Sequence, residues 1–196
     1  MNHPSIDPSI IALLLNAKGI NVNQNQVPTG ENRKNPENHS VNSLFAVCQY
    51  GCPSIVKILL NVDGIEVNTQ SSTGATPLLQ ASQNGHVEVV KLLVDHPNIE
   101  INLPVHDDCR NGCAGRTPLM MASVAGQVDV VRLLLQIPNI DLNKRGVDGQ
   151  SALGLAKHFN CMVLQKRLKY LNSEGSNQTK VNHKKVIKLL KLAGAQ

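Results

Sequence analysis

Two cysteines, a histidine and two aspartates fall within the eight positions from His106 to Cys113. Imidazole, thiolate and carboxylate groups bind zinc, so His106, Cys109 and Cys113 are candidate ligands, with a neighbouring aspartate as the fourth. Their spacing, H-x2-C-x3-C, differs from the closed cysteine pairs of structural zinc sites. We therefore expect a polar loop without a metal or other cofactor. A zinc site and a disulfide between Cys109 and Cys113 are the alternatives.

No motif typical of an enzyme accompanies this loop. The chain lacks the hydrolase serine motif, the glycine-rich phosphate loop and the paired histidines of zinc proteases. A nucleophilic Cys161 with a nearby histidine is the weakest alternative. Five cysteines without a regular framework fit a reducing compartment, and no apolar run reaches membrane-spanning length. We predict a cytoplasmic protein that is not an enzyme.

The elements that must position this loop repeat along the chain. Residues 51–68, 85–102 and 126–143 share the pattern of GHVEVVKLLVDHPNIEIN, and residues 7–23 match all but its first glycine. A second signature, GATPLLQAS and GRTPLMMAS, precedes two of these segments. One basic unit of about 33–34 residues, with insertions, explains the spacing.

Each unit predicts a pair of helices. Thr76 is placed to cap the first helix, and Pro77 occupies its first position, where a missing N–H costs nothing. Gly85 ends that helix because glycine readily takes a positive φ. One such hairpin cannot bury both of its faces, so the units must stack. With only 2% aromatic residues, the core is expected to consist of thin aliphatic layers.

The run T-P-L-x-x-A, then G-H-x-x-V-V-x-L-L, then I-x-(V/I/L)-N resembles the ankyrin repeat over roughly residues 7–195. The resemblance implies an all-α ankyrin-repeat solenoid of helix-turn-helix units with β-hairpin finger connections. We expect one domain, residues 1–196. Its parts are a partial repeat at 7–23, a loop insertion at 24–41, repeats at 42–70, 74–103 and 115–144, a finger insertion at 104–114, and a final repeat at 149–195 with an insertion at about 161–181.

The second helix of the final repeat has two candidate positions. Residues 183–195, HKKVIKLLKLAGA, end in the way that ankyrin second helices usually close. Residues 162–171 would need no insertion but would bury Gln165 and Arg167. We prefer the first assignment.

The ankyrin resemblance implies a protein-binding scaffold that uses its concave face and fingers. The family's variable positions correspond here to Gln49, Tyr50, Ser72, Thr73, Ala75, Gln83, Asn84, Arg116, Val124, Asp148, Gln150, His158 and Phe159. Tyr50 and Phe159 are expected to act as aromatic anchors. The alternative is that Tyr50 packs under the 24–41 loop and Phe159 under the 161–181 insertion.

The net charge of +5 comes from the C-terminal tail, where residues 157–196 carry nine Lys or Arg and a single acidic residue. Lys184, Lys185, Lys188 and Lys191 line one face of a helix. A solvated capping helix is expected, with an anionic membrane surface as the alternative partner. Nucleic acid is not expected, because no aromatic residues accompany these lysines. The protein should be monomeric when it is alone.

Two other functions stay open. The incomplete first repeat allows this chain to be the targeting module of a larger enzyme, and the basic helix allows a membrane-surface adaptor. The irregular spacings are similar to those of ankyrin proteins that intracellular bacteria deliver into host cells, which would place the protein in host cytosol. The resemblance also makes Asn68 and Asn143 candidates for asparaginyl hydroxylation, since both follow the pattern L-x5-(D/E)-(V/I/L)-N.

Overall fold

The computed structural model describes residues 22–23, 42–106, 113–169 and 175–196, with side chains described for all of these except 161–169 and 175–181. These ranges contain eight helices and no strand. The helices are α1 (Ser43–Tyr50), α2 (Pro53–Leu60), α3 (Pro77–Asn84), α4 (Val87–Val94), α5 (Pro118–Ala125), α6 (Val128–Leu134), α7 (Ala152–Lys169) and α8 (Gly175–Leu192).

The ends of α3 lie where the sequence predicts them, for the predicted reasons. The Thr76 hydroxyl accepts a hydrogen bond from the Leu79 N–H at 3.1 Å, and Pro77 is the first helical residue. Gly85 ends the helix with a φ of 82°. The predicted boundaries of α3 are therefore confirmed, and Thr117 caps α5 in the same way.

The helices form two layers. The first layer consists of α1, α3, α5 and α7, which pack side by side. The second layer consists of α2, α4, α6 and α8, packed in the same way. Each first-layer helix also contacts the second-layer helix that follows it in the chain. Leu44, Leu78, Leu119 and Leu153 occupy equivalent buried positions in the first layer. The fully buried members of the main core include no aromatic side chain. The predicted all-α solenoid with an aliphatic core is therefore confirmed for the described residues.

Asparagine side chains join successive fingers. The Asn68 amide donates to the Asn98 carbonyl at 2.7 Å, and its oxygen accepts from the Glu100 N–H at 2.9 Å. Asn23 and Asn102 make the same pair of bonds to the fingers that follow them. Within the described ranges the fingers contain turns and no strand, so the predicted β-hairpin form of these connections is not found there.

The last two helices are longer than the others. Each contains 18 residues, against seven or eight in the earlier helices. α7 continues through residues 162–169, and α8 contacts both α7 and α6. Val186 and Leu190 of α8 are fully buried in the main core. The residues added to the final unit therefore extend both of its helices.

Candidate partner-binding face

The predicted binding positions gather on one side of the stack. We call this side the first-helix face. It consists of the exposed sides of α1, α3, α5 and the start of α7, together with the turns at 71–75, 113–116 and 147–150, which precede α3, α5 and α7. Gln49, Tyr50, Ser72, Asn84, Asp148 and His158 are exposed there, and Thr73, Gln83, Arg116, Val124, Gln150 and Phe159 are half-buried. That a partner binds here stays a prediction.

Ala75 differs from the other predicted positions because it is buried. It lies in a small apolar cluster with Leu79, Val105 and Met121. Val105 belongs to the inserted finger, whose base is held by hydrogen bonds between Val105 and Arg116 and between Gly115 and Val105, each at 3.0 Å. Ala75 therefore presents no side chain to a partner. The sequence signal for the burial of Ala75 is Val105, an isolated valine in an otherwise polar insertion.

Tyr50 is the aromatic side chain that the face exposes most, with 71% of its surface accessible. Tyr50 is the last residue of α1, and two side chains of the next unit hydrogen-bond to the carbonyl of the residue before it, Gln49. The Asn84 amide donates to the Gln49 carbonyl at 2.9 Å, and His86 Nε2 donates to the same oxygen at 3.0 Å. The phenol ring therefore projects from a backbone position that two hydrogen bonds from the next unit hold in place.

Phe159 has a different environment, because part of its ring serves packing. It is half-buried against the main core and stacks on the His183 ring at a centroid distance of 6.5 Å and an interplanar angle of 12°. His158 meets its edge at 5.7 Å. Only the outer part of Phe159 remains for a partner.

Arg116 and Asp148 form an ion pair across two neighbouring units. The guanidinium and carboxylate approach to 3.2 Å, and the side chains are 14% and 39% exposed. Asp148 also accepts a hydrogen bond from the Gln150 N–H at 3.1 Å. The sequence predicts both residues as separate binding positions but does not predict their ion pair, because 32 residues separate them. Arg116 Nε is buried and has no hydrogen-bond partner among the described residues, so the ion pair satisfies the guanidinium only in part.

A second set of contacts, also missed from the sequence, connects the helix layers of neighbouring units. His86, Gln127 and His183 each donate a hydrogen bond to a carbonyl near the end of the first-layer helix of the preceding unit, at 3.0, 3.0 and 2.8 Å. The acceptors are Gln49, Gln83 and Val124. His183 is thus the structural equivalent of His86, although no glycine precedes it in the sequence.

The candidate metal ligands are only partly described. His106 is exposed and Cys113 is half-buried, whereas Cys109 and both aspartates lie outside the described residues. Among the residues that are described, no three His, Cys, Asp or Glu side chains converge. Cys48 is fully buried, and burial raises the pKa of its thiol to about 12. The Cys161 side chain also lies outside the described part.

The two candidate hydroxylation residues take part in the finger hydrogen bonds. Asn68 bridges to Asn98 and Glu100, and the Asn143 side-chain oxygen accepts from the Gln196 N–H at 2.8 Å. Their hydroxylation stays a prediction.

A two-layer stack of short helical hairpins, joined by asparagine-linked turns, defines a repeat solenoid. The family model for ankyrin repeats matches residues 5–105 and 44–146, and this chain belongs to the ankyrin-repeat family. Ankyrin repeats are generally protein–protein interaction modules, and the family is typically non-enzymatic. A comparison with curated proteins finds no matching relative. In the described residues, no helix is long and apolar enough to span a membrane.

Proposed function

We propose that the protein is a non-enzymatic cytoplasmic scaffold that binds a partner protein through the first-helix face and its fingers. The observation that carries this proposal is the exposure of Tyr50. A large aromatic ring with 71% of its surface in water gains free energy when a partner covers it.

The surroundings of Tyr50 favour binding at low entropic cost. The hydrogen bonds from Asn84 and His86 to the Gln49 carbonyl fix the end of α1 before any partner arrives. Binding then loses little backbone freedom, because the surface is already ordered. Aromatic anchors of this kind contribute about 2 kcal/mol or more, which corresponds to about a 30-fold change in Kd.

The test is affinity capture from cytosol followed by mass spectrometry, comparing wild type with Tyr50→Ala. The matched control is Lys57→Ala, an exposed change on α2 in the same unit. We expect a partner that wild type and the control retain and Tyr50→Ala loses. Phe159→Ala is a poor probe because it also disturbs the stack on His183. If a folded Tyr50→Ala protein retained every partner, the proposal would be wrong.

A second candidate function rests on α8. Lys184, Lys185, Lys188 and Lys191 are all exposed, and residues 175–196 contain no acidic residue. Val186 and Leu190 of this helix are buried in the core, whereas Leu192 is exposed at its end. Binding to an anionic membrane would therefore rest chiefly on the lysine charges. The protein should then sediment with phosphatidylserine vesicles at low salt. It should not do so at high salt or with phosphatidylcholine vesicles. No binding to phosphatidylserine at low salt would remove this candidate.

A further inference from the structure

Charge is segregated between the two helix layers. Although 17% of the chain's residues are charged, α1, α3 and α5 contain no Asp, Glu, Lys or Arg. Their hairpin partners carry exposed charges: Lys57 in α2, Glu88 and Lys91 in α4, Asp129 and Arg132 in α6. Arg116 and Asp148, at the edge of the first-helix face, form an ion pair with each other. The centre of that face is therefore uncharged.

Amides and one phenol occupy this uncharged centre. Gln49 precedes Tyr50 at the end of α1, and Gln80, Gln83 and Asn84 belong to the neighbouring α3. Each of the four is exposed or half-buried. Asn84 uses its amide on the Gln49 carbonyl, whereas the three glutamine side chains make no hydrogen bond to another described residue. Each glutamine amide offers donors and an acceptor to an incoming group.

The distance between Gln49 and Gln83 follows from their equivalent positions on neighbouring helices. Each lies two residues before the glycine that ends its helix, so the two occupy equivalent places in neighbouring units. Packed helices lie about 10 Å apart, and an extended peptide covers that distance in about three residues. One extended peptide that crosses α1 and α3 can therefore reach both glutamine amides.

A charged partner is disfavoured by simple electrostatics. A charged side chain placed on α1, α3 or α5 loses water and finds no opposite charge on these helices, which costs free energy. Backbone N–H and C=O groups lose less, because the glutamine amides replace their hydrogen bonds to water. We propose that the first-helix face binds an extended peptide segment without charged side chains, held by Gln49 and Gln83 and by an apolar contact on Tyr50. This inference rests on the proposed function and specifies its partner.

The experiment is selection of random twelve-residue peptides displayed on phage against the wild-type protein. Peptides are then measured against Gln49→Ala/Gln83→Ala and against the matched control Lys57→Ala/Lys91→Ala, which alters the second layer of the same units. We expect selected peptides to be depleted in charged residues. Their Kd should change by less than about twofold between 50 and 500 mM NaCl, rise by about fivefold or more in the glutamine variant, and stay unchanged in the control.

The other outcomes separate this inference from the function on which it rests. Charged peptides that still require Gln49 and Gln83 would overturn the uncharged partner but support the binding face. Acidic peptides that weaken about tenfold or more in salt and require Lys184 and Lys188 would overturn both and favour α8. A selection that yields no peptide dependent on the first-helix face would also overturn both.

Discussion

Gly51 and Gly149 provide two substitutions that separate backbone strain from packing. Both residues have a left-handed backbone, with φ values of 71° and 72°. A Cβ added to Gly51 would lie 2.5 Å from Cε1 of His86, whereas one added to Gly149 would meet no atom within 4 Å. Gly51→Ala and Gly149→Ala therefore share one backbone cost, and only the first must displace a neighbouring ring.

The expected magnitudes follow from these contacts. Alanine in the left-handed conformation costs about 1–2 kcal/mol at either position. At Gly51 the His86 ring cannot move aside without losing its 3.0 Å hydrogen bond to the Gln49 carbonyl. That displacement adds about 1–3 kcal/mol. We expect Gly149→Ala to lower the free energy of unfolding by about 1–2 kcal/mol and Gly51→Ala by about 2–5 kcal/mol.

Urea unfolding followed by far-ultraviolet circular dichroism measures both changes. His86→Ala and the double variant Gly51→Ala/His86→Ala complete a cycle. The double variant should lose less than the sum of its parts, because removing the ring removes the clash. Equal losses for the two glycine variants, together with an additive double variant, would refute the reasoning about this contact.

Two further predictions concern Cys48 and the finger hydrogen bonds. Burial raises the pKa of the Cys48 thiol from 9.0 to about 12. Iodoacetamide at pH 8 should therefore leave Cys48 unmodified in the native protein while it alkylates the half-buried Cys52. Equal labelling of the two cysteines in peptide mass spectra would contradict this. Asn102→Ala removes two hydrogen bonds to the next finger and should lower the free energy of unfolding by about 1–2 kcal/mol. Asn61→Ala is an exposed control that should change it by less than about 0.5 kcal/mol in the same urea titration.

The parts of the fold that depend on local chemistry could be predicted from the sequence. Thr76 and Pro77 start a helix, and Gly85 stops it, because the relevant hydrogen bonds and backbone angles involve residues within a few positions of each other. The aliphatic pattern of the second helices likewise determines which side faces the core. Repetition of these signals along the chain made the stacking of the units predictable.

The features that sequence reasoning missed depend on residues far apart in the chain. Arg116 and Asp148 pair across units, and the burial of Ala75 depends on Val105 from an insertion with no counterpart in the other units. The role of His183 was hidden because no glycine precedes it. Local propensities contain no information about such contacts, since each needs the register of one unit against the next.

The register of His183 also explains where the positive charge of the tail lies. If His183 is aligned with His86, Lys184 takes the place of Val87, which is half-buried against the core. In α8 the apolar side chains remain where they meet the core, as at Val186, while lysines occupy exposed positions of the second layer. The first layer is uncharged from α1 through α5. A neutral peptide on the first-helix face and an anionic surface on α8 would therefore use different layers, so the two candidate functions do not exclude each other.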